Sequence, residues 1–295
     1  MTGHQILIGF PNRIDQASTI TGGGWSAGLP LDNLKDRLFS RVARSVDADP
    51  ANTQFVVDYG RPQRLRILAF VAHNMSLSSR LTIEAAEDEA FTTIFYSAEV
   101  DVWTGMLSAE WNIDELEWEN DNFWTGTYTA EDIEGFTAVS THILPGSISA
   151  RYWRFKIEDP QNDAGYVQIG RLFMGPAWQP RINYSWGAGL GYEIGTGVET
   201  ALGGAEFFNV KEPVRVFRFS LDHMRDDEGF GRALELVRRA GIHGEVFVVP
   251  DPTDAFQGLR RNFMGRIRQP SPLEQVTWAN DGSAHSMSFE IKELR

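Results

Sequence analysis

Cysteine is absent from these 295 residues. That excludes disulfide staples, thiolate nucleophiles and Cys-ligated zinc together, and leaves stability to packing. No apolar run approaches the roughly 20 residues that cross a bilayer. The opening "MTGHQILIGFPNRIDQ" has no basic leader, long apolar stretch or small-residue cleavage site, so no signal peptide is expected. Only four of the 27 basic residues are lysine. Arginine is the cation favoured in interfaces and bidentate pairs. Most unevenly of all, residues 81–150 contain no Lys or Arg while holding 15 Asp and Glu. Removing those 15 from the 40 acids leaves 25 against 27 bases, so one segment carries more than the whole net charge of −13. Such a face repels phosphate, and nucleic acid is not an expected partner.

Catalytic signatures are missing too. There is no nucleophile elbow, P-loop or kinase set. The six histidines (His4, His73, His142, His223, His243 and His285) form no HxH, HxxxH or HExxH pair, so a metal site on histidine would need distant segments to converge. "GAGLGYEIGTG" has glycines at suggestive spacings, but no apolar strand leads in and no helix follows, as a dinucleotide loop requires. No metal, cofactor or catalytic residue is assigned, and no enzyme is expected.

What is present is β patterning. "RYWRFKIED" alternates, with Trp153, Phe155 and Ile157 inward and Tyr152, Arg154 and Lys156 outward. "RLTIEAAE" alternates at Leu81, Ile83 and Ala85. In "RLRILAFVAHN", Leu65, Ile67, Ala69 and Val71 share one face and Leu68 and Phe70 the other, which predicts a central strand covered on both sides. Short strands separated by Gly, Pro, Asn and Asp turns predict a sandwich or jelly roll. Beyond a Gly-rich stretch at 179–205, read as a linker or hairpin, strands are predicted at "EPVRVFRFSLD", "GEVFVVPD", "NFMGRIRQ" and "HSMSFEIKEL". Phe217, Phe219 and Leu221, then Met287, Phe289 and Ile291, point inward. One helix is expected at about 226–240, with acids at its N-terminus, Phe230, Leu234 and Val237 on its buried face, and Gly241 as C-terminal cap.

Two places invite a functional reading. His73 and Asn74 end the covered strand, where a buried pair bonding the next turn is expected; a general base there would lack a nucleophile. "EWNIDELEWENDNFWTG", residues 110–126, sets Trp111, Trp118 and Trp124 among carboxylates. Asp114, Glu115, Glu117 and Glu119 are candidate contacts to a basic partner, with the tryptophans anchoring the segment or stacking on a glycan. Calcium is the alternative, but the stretch lacks the spaced ligand series of an EF-hand loop. As a glycosidase pair it offers too many equivalent acids to single out two.

At "TGGGWSAGLPLDNLKDRLFSRVARS", then "FVVDYGRPQRLRILAFVAHNMS", "RYWRFKI" and "YVQIGRLFMG", residues 20 to 178 resemble the discoidin-like modules of bacteriophage tail proteins. "FMGRIRQPSPLEQVTWANDGSAHSMSFEIKEL" is similar to the last hairpin of ring-forming distal tail and baseplate proteins. The resemblance implies a mainly β chain: a discoidin-like jelly-roll sandwich plus a second β-sandwich or split barrel carrying one α-helix. It places the first domain at 1–178, with an N-terminal strand and an acidic Trp-rich insertion at about 101–140, and the second at 206–295. It also implies a structural virion protein at a phage or prophage tail tip or baseplate, assembled in the host cytoplasm into a homo-oligomeric ring that docks other tail proteins. The alternative is a carbohydrate- or receptor-binding tail module facing a host surface glycan, and after it a tail-associated glycan hydrolase. No membrane insertion is expected.

Overall fold

A computed structural model describes residues 3–103, 133–254, 257–268, 271–279 and 282–295. Its strands are β1 (Leu7–Gly9), β2 (Thr19–Thr21), β3 (Ala43–Arg44), β4 (Gln54–His73), β5 (Arg80–Ala86), β6 (Ile94–Asp101), β7 (Val139–Glu158), β8 (Gln168–Gly175) and β9 (Ala177–Trp178). They continue as β10 (Gly189–Glu193), β11 (Gly197–Thr200), β12 (Glu206–Asn209), β13 (Val214–Met224), β14 (Glu245–Val249), β15 (Phe263–Ile267), β16 (Glu274–Ala279) and β17 (Gly282–Glu293). The protein is mainly β. One sheet runs β3-β8-β4-β7-β5-β6 with β2 on β4, the other β10-β13-β17-β15-β14-β1-β9 with β16 on β17, and β11 and β12 pair only with each other.

The first sheet makes a sandwich by folding over. Phe55 and Phe70 both lie on β4, and fifteen residues of straight strand would separate them by roughly 50 Å. Their rings are 6.4 Å apart, and both contact Phe155, at 5.2 and 5.4 Å. Breaks in the β4–β7 register between Asp58 and Gln63, and between Leu65 and Ile67, permit the bend. Trp153, Phe155, Ile157, Leu81, Ile83 and Ala85 fill the enclosed core, as their alternation predicts. Leu65 departs from the reading. The irregularity between Leu65 and Ile67 turns it into the same core as Leu68 and Phe70, rather than onto the face of Ile67.

The opposite face of β4 and β8 is covered by the second sheet. Ile67, Ala69, Val71 and Phe173 pack against Leu7, Phe247, Val249 and Met264, with the Phe173 and Phe247 rings 5.3 Å apart. The N-terminal strand therefore departs from its expected place. β1 pairs with β14 and β9, in the sheet built mostly from the C-terminal half. Across this layer runs a buried ion pair. Arg171 on β8 donates to Glu245 on β14 (2.6 Å), to Asp15 (2.6 Å) and to the Leu34 carbonyl (3.0 Å). With its donors so engaged the pair is tolerated, but removing one partner from such a site typically costs about 3–5 kcal/mol.

The far face of the second sheet presents Phe217, Phe219, Leu221, Met287, Phe289 and Ile291 to a helical run at 226–240. Gly241 closes that run with positive φ, its N–H bonded to the Val237 carbonyl (2.8 Å). The helix face is a correction to the sequence reading. Residues Gly229–Leu234 wind as a π-helix, and Gly229, Ala233, Leu236 and Ala240 turn inward. Small residues let the helix approach closely: a Cβ on Gly229 would sit 3.2 Å from the His285 ring. Phe230 and Leu234 are left 55% and 40% exposed. Among the described residues, no helix is long and apolar enough to cross a membrane.

The reassigned face makes a direct test. Ala233→Asp puts an unpaired charge into the core and should lower unfolding stability by more than about 3 kcal/mol, whereas Leu234→Asp should cost less than about 1 kcal/mol. Chemical denaturation of both variants checks this, and a reversed order would restore the face read from the sequence.

Candidate functional site

Trp111, Asp114, Glu115, Glu117, Trp118, Glu119 and Trp124 lie outside the described residues. His73 and Asn74 lie within them, in a closed corner. The His73 Nδ1 accepts the Met75 N–H (3.2 Å), and its ring meets Trp103 edge-on at 5.3 Å. Burial pushes its pKa down to about 3, so the ring is neutral. The Asn74 side chain accepts the Gln168 N–H (2.7 Å) and donates to the Tyr166 carbonyl (3.0 Å), while its own carbonyl accepts from Asn162 (3.0 Å). This is a clasp between the end of β4 and the turn before β8, in which His73 is buried.

One cluster has the composition of a catalytic triad without its geometry. The His285 Nε2 lies 2.7 Å from Asp226 Oδ1 and 3.0 Å from Ser283 Oγ, and Ser283 also donates to Asp226. A relay needs the acid on one ring nitrogen and the hydroxyl on the other. Here both sit on Nε2, and the cluster fastens the start of the helix to β17. Among the described residues no group of His, Cys, Asp or Glu could hold a metal ion. A cleft of about 190 Å³ lies between Val139–Ile143 and Val249–Asn262, lined by Trp103, His142, Asp251 and Asp254. Its histidine is tied to the Tyr96 hydroxyl (2.6 Å) and held neutral, with a pKa pushed down by burial to about 4.

The more distinctive surface is the β10 edge of the second sheet and the arm that leaves it. β11 and β12 form a hairpin closed at its tip by two bonds between Ala201 and Ala205 and between Gly204 and Ala201, both 2.8 Å. Gly204 there has a φ of +84°, a conformation open to glycine at little cost. Val198 pairs with Phe208 on one face and Glu199 with Phe207 on the other. Each face thus shows a phenylalanine to solvent, 63% exposed for Phe207 and 59% for Phe208, with Ile194, Leu202 and Val210 exposed nearby. An isolated two-stranded hairpin is marginal in water, and contiguous exposed apolar surface of this kind marks an interaction site. Beside its root, Trp186 is fully exposed. It overlooks a groove of about 470 Å³ floored by the Arg218–Glu290 pair (2.8 Å) and the Ser220–Ser288 hydroxyls (2.7 Å). Sequence reading allowed a linker or a hairpin here, but did not single out the exposed apolar side chains. The signal available was Phe207 and Phe208 side by side in a stretch with no core-forming alternation.

Neither a family model nor a curated protein matches the chain. Solved structures do. The module CBM32-1 from a family 31 glycoside hydrolase of Clostridium perfringens aligns at 11% identity and a TM-score of 0.35, over 55% of this chain and 96% of that one. The lectin domain of lectinolysin complexed with Lewis B antigen aligns at 11% identity and 0.34, over 56% and 96%. The family 32 carbohydrate-binding module of another C. perfringens protein, in complex with galactose, aligns at 12% and 0.33, over 53% and 91%.

The two neutral histidines set a pH dependence. A base whose folded pKa lies below its ordinary value of 6.5 binds its proton mainly when unfolded. Stability is therefore full above about pH 6.5 and falls as pH drops, by roughly 1.4 kcal/mol per pH unit for each group. The fall should continue to about pH 4 for His142 and about pH 3 for His73. Between pH 6.5 and 4.5, above the range of the paired carboxylates, denaturant titrations should show this slope, and His73→Gln should flatten it. An unchanged slope in that variant would contradict a neutral buried His73.

Proposed function

We propose that the chain is a non-catalytic structural component of a larger assembly, docked to a neighbouring copy through the arm at 194–212. One observation carries this: a hairpin with large apolar side chains exposed on both faces, neither of them covered by the described residues. Burial contributes about 1.5–3 kcal/mol for each such side chain fully removed from water. Five or six of them supply enough to offset several kcal/mol of association cost. A patch on one copy meeting a different surface on the next makes a head-to-tail contact, which closes into a ring or runs on as a filament. The setting we infer is the one the sequence resembles, a phage or prophage tail tip or baseplate. There the chain would be a virion protein contacting other tail proteins.

Replacing residues 197–209 by a short Gly-containing turn should leave the thermal midpoint within a few degrees of wild type, since the hairpin contributes nothing to either core. Light scattering should show concentration-dependent association for wild type and a monomer for the shortened chain. Equal association by both would reject the arm as the docking element, and absence of the protein from purified particles would reject the virion setting.

A second reading, glycan binding, is favoured by the Trp186 groove, where an uncovered indole face stands beside paired hydroxyl and charged groups. Sugar rings stack on such a face while their hydroxyls use such partners. On a glycan array, Trp186→Ala should abolish any binding seen with wild type without changing stability. Binding that survives the substitution places the sugar elsewhere.

A further inference from the structure

On the side of the molecule where the two sheets meet, six arginines gather around three carboxylates, Asp227, Glu228 and Glu235. Arg66 and Arg181 line a polar cleft of about 390 Å³ with Arg232, Trp178 and Gln179. Its two carboxylates are engaged by Arg181: Asp227 accepts from the side chain (2.6 Å) and Glu228 from the backbone N–H (2.9 Å). Arg232 continues into a smaller cleft with Arg239, Phe10, Trp178 and Glu235, whose carboxylate lies 4.0 Å from Arg239. Arg239 stands 5.4 Å from the centre of the Phe10 ring. Beyond it lie Arg13 and Arg61. Burial, and then the nearby charges of Arg239 and Arg61, hold the Arg13 guanidinium below its usual range. Burial does the same to Arg66 with no carboxylate to offset it. Among the described residues, Arg13, Arg61, Arg66 and Arg232 enter no ion pair.

Six guanidiniums against three carboxylates, with two aromatic rings among them, leave the groove with an excess of positive charge. Desolvated cations are costly unless paired, so this arrangement is suited to an anion that arrives from outside. The anion that fits is a series of carboxylates interspersed with indoles, because arginine both pairs bidentately with carboxylate and stacks on aromatic faces. Residues 110–121 of this sequence have that composition: six Asp and Glu with two Trp and no base. A polyphosphate backbone matches the charge alone and offers no ring for the guanidiniums to stack on.

We propose that this arginine seam is a binding site for a carboxylate- and tryptophan-rich peptide carried by a second copy of the chain. The assembly reading supplies only the source of the peptide, not the site. The test uses the full chain and a synthetic peptide of residues 110–126, titrated by fluorescence anisotropy. The wild-type peptide should bind, and its affinity should fall at least tenfold between 50 and 500 mM salt. A peptide with its acids changed to Asn and Gln should not bind. The Arg66→Gln/Arg232→Gln protein should bind at least tenfold more weakly at an unchanged thermal midpoint. The Arg66→Lys/Arg232→Lys protein should keep affinity within a few-fold, which separates lost charge from lost fold. The chain lacking residues 197–209 should bind the peptide like wild type, so the seam can stand where the arm fails and the reverse. No binding, equal binding of the neutral peptide, an unaffected glutamine double variant, or tighter binding of a single-stranded oligonucleotide would each overturn the proposal.

Discussion

The structure depends on one apolar layer, the contact of β4 and β8 with β1, β14 and β15. Strands covered on one side only could belong to two separate sandwiches joined by a flexible linker. Here Ile67, Ala69, Val71 and Phe173 are pressed against Leu7, Phe247, Val249 and Met264, and neither sheet can leave the other without exposing this set to water. At the energies of large buried side chains, that contact alone exceeds the usual net stability of a domain before entropy is counted. Arg171 fixes the register of the layer, since its bonds to Glu245, Asp15 and Leu34 are satisfied in one relative placement. The crossing of β1 into the second sheet then links the chain's beginning to its C-terminal half.

That rigidity gives meaning to what lies outside it. The arm at 194–212 projects from the edge of a sheet whose far face is held by the helix and whose near face is held by the sandwich. Among the described residues it has no core of its own and nothing in the body folds over it. The arginine seam follows from the same geometry, because the line where two sheets meet is where side chains of both converge. Trp178, at the end of the last strand before the Gly-rich stretch, borders both clefts of that seam. The apolar arm and the charged seam are thus two products of one fused body.

The sequence revealed the cores well and the surfaces poorly. Trp153, Phe155 and Ile157, or Met287, Phe289 and Ile291, alternate with polar residues because one face of each strand is buried, and period-two patterning reports that directly. The covered strand at residues 67–71 was legible because both of its faces are apolar. Leu65 was misread because an irregularity in strand pairing leaves no trace in composition. Phe230 and Leu234 were misread because a periodicity of 3.6 does not describe a π-helical turn, and because Gly229 and Ala233 make the contact by being small. β1 was misplaced because six residues of apolar strand do not say which sheet they join. The hairpin was one of two readings of the Gly-rich stretch, but its exposed phenylalanines were not singled out, and the seam was hidden by sequence distance, since its arginines range from residue 13 to residue 239.

The central claim is that the body is rigid and complete while the arm awaits a partner. Amide hydrogen exchange followed across protein concentration tests it most directly. In dilute protein, residues 67–71, 169–173 and 246–249 should exchange only on global unfolding, while 197–209 exchange orders of magnitude faster. As concentration rises and copies associate, protection should appear in 197–209 and leave the core strands unchanged. Slow exchange of the arm in dilute monomer, or fast exchange in associated protein, would contradict the account.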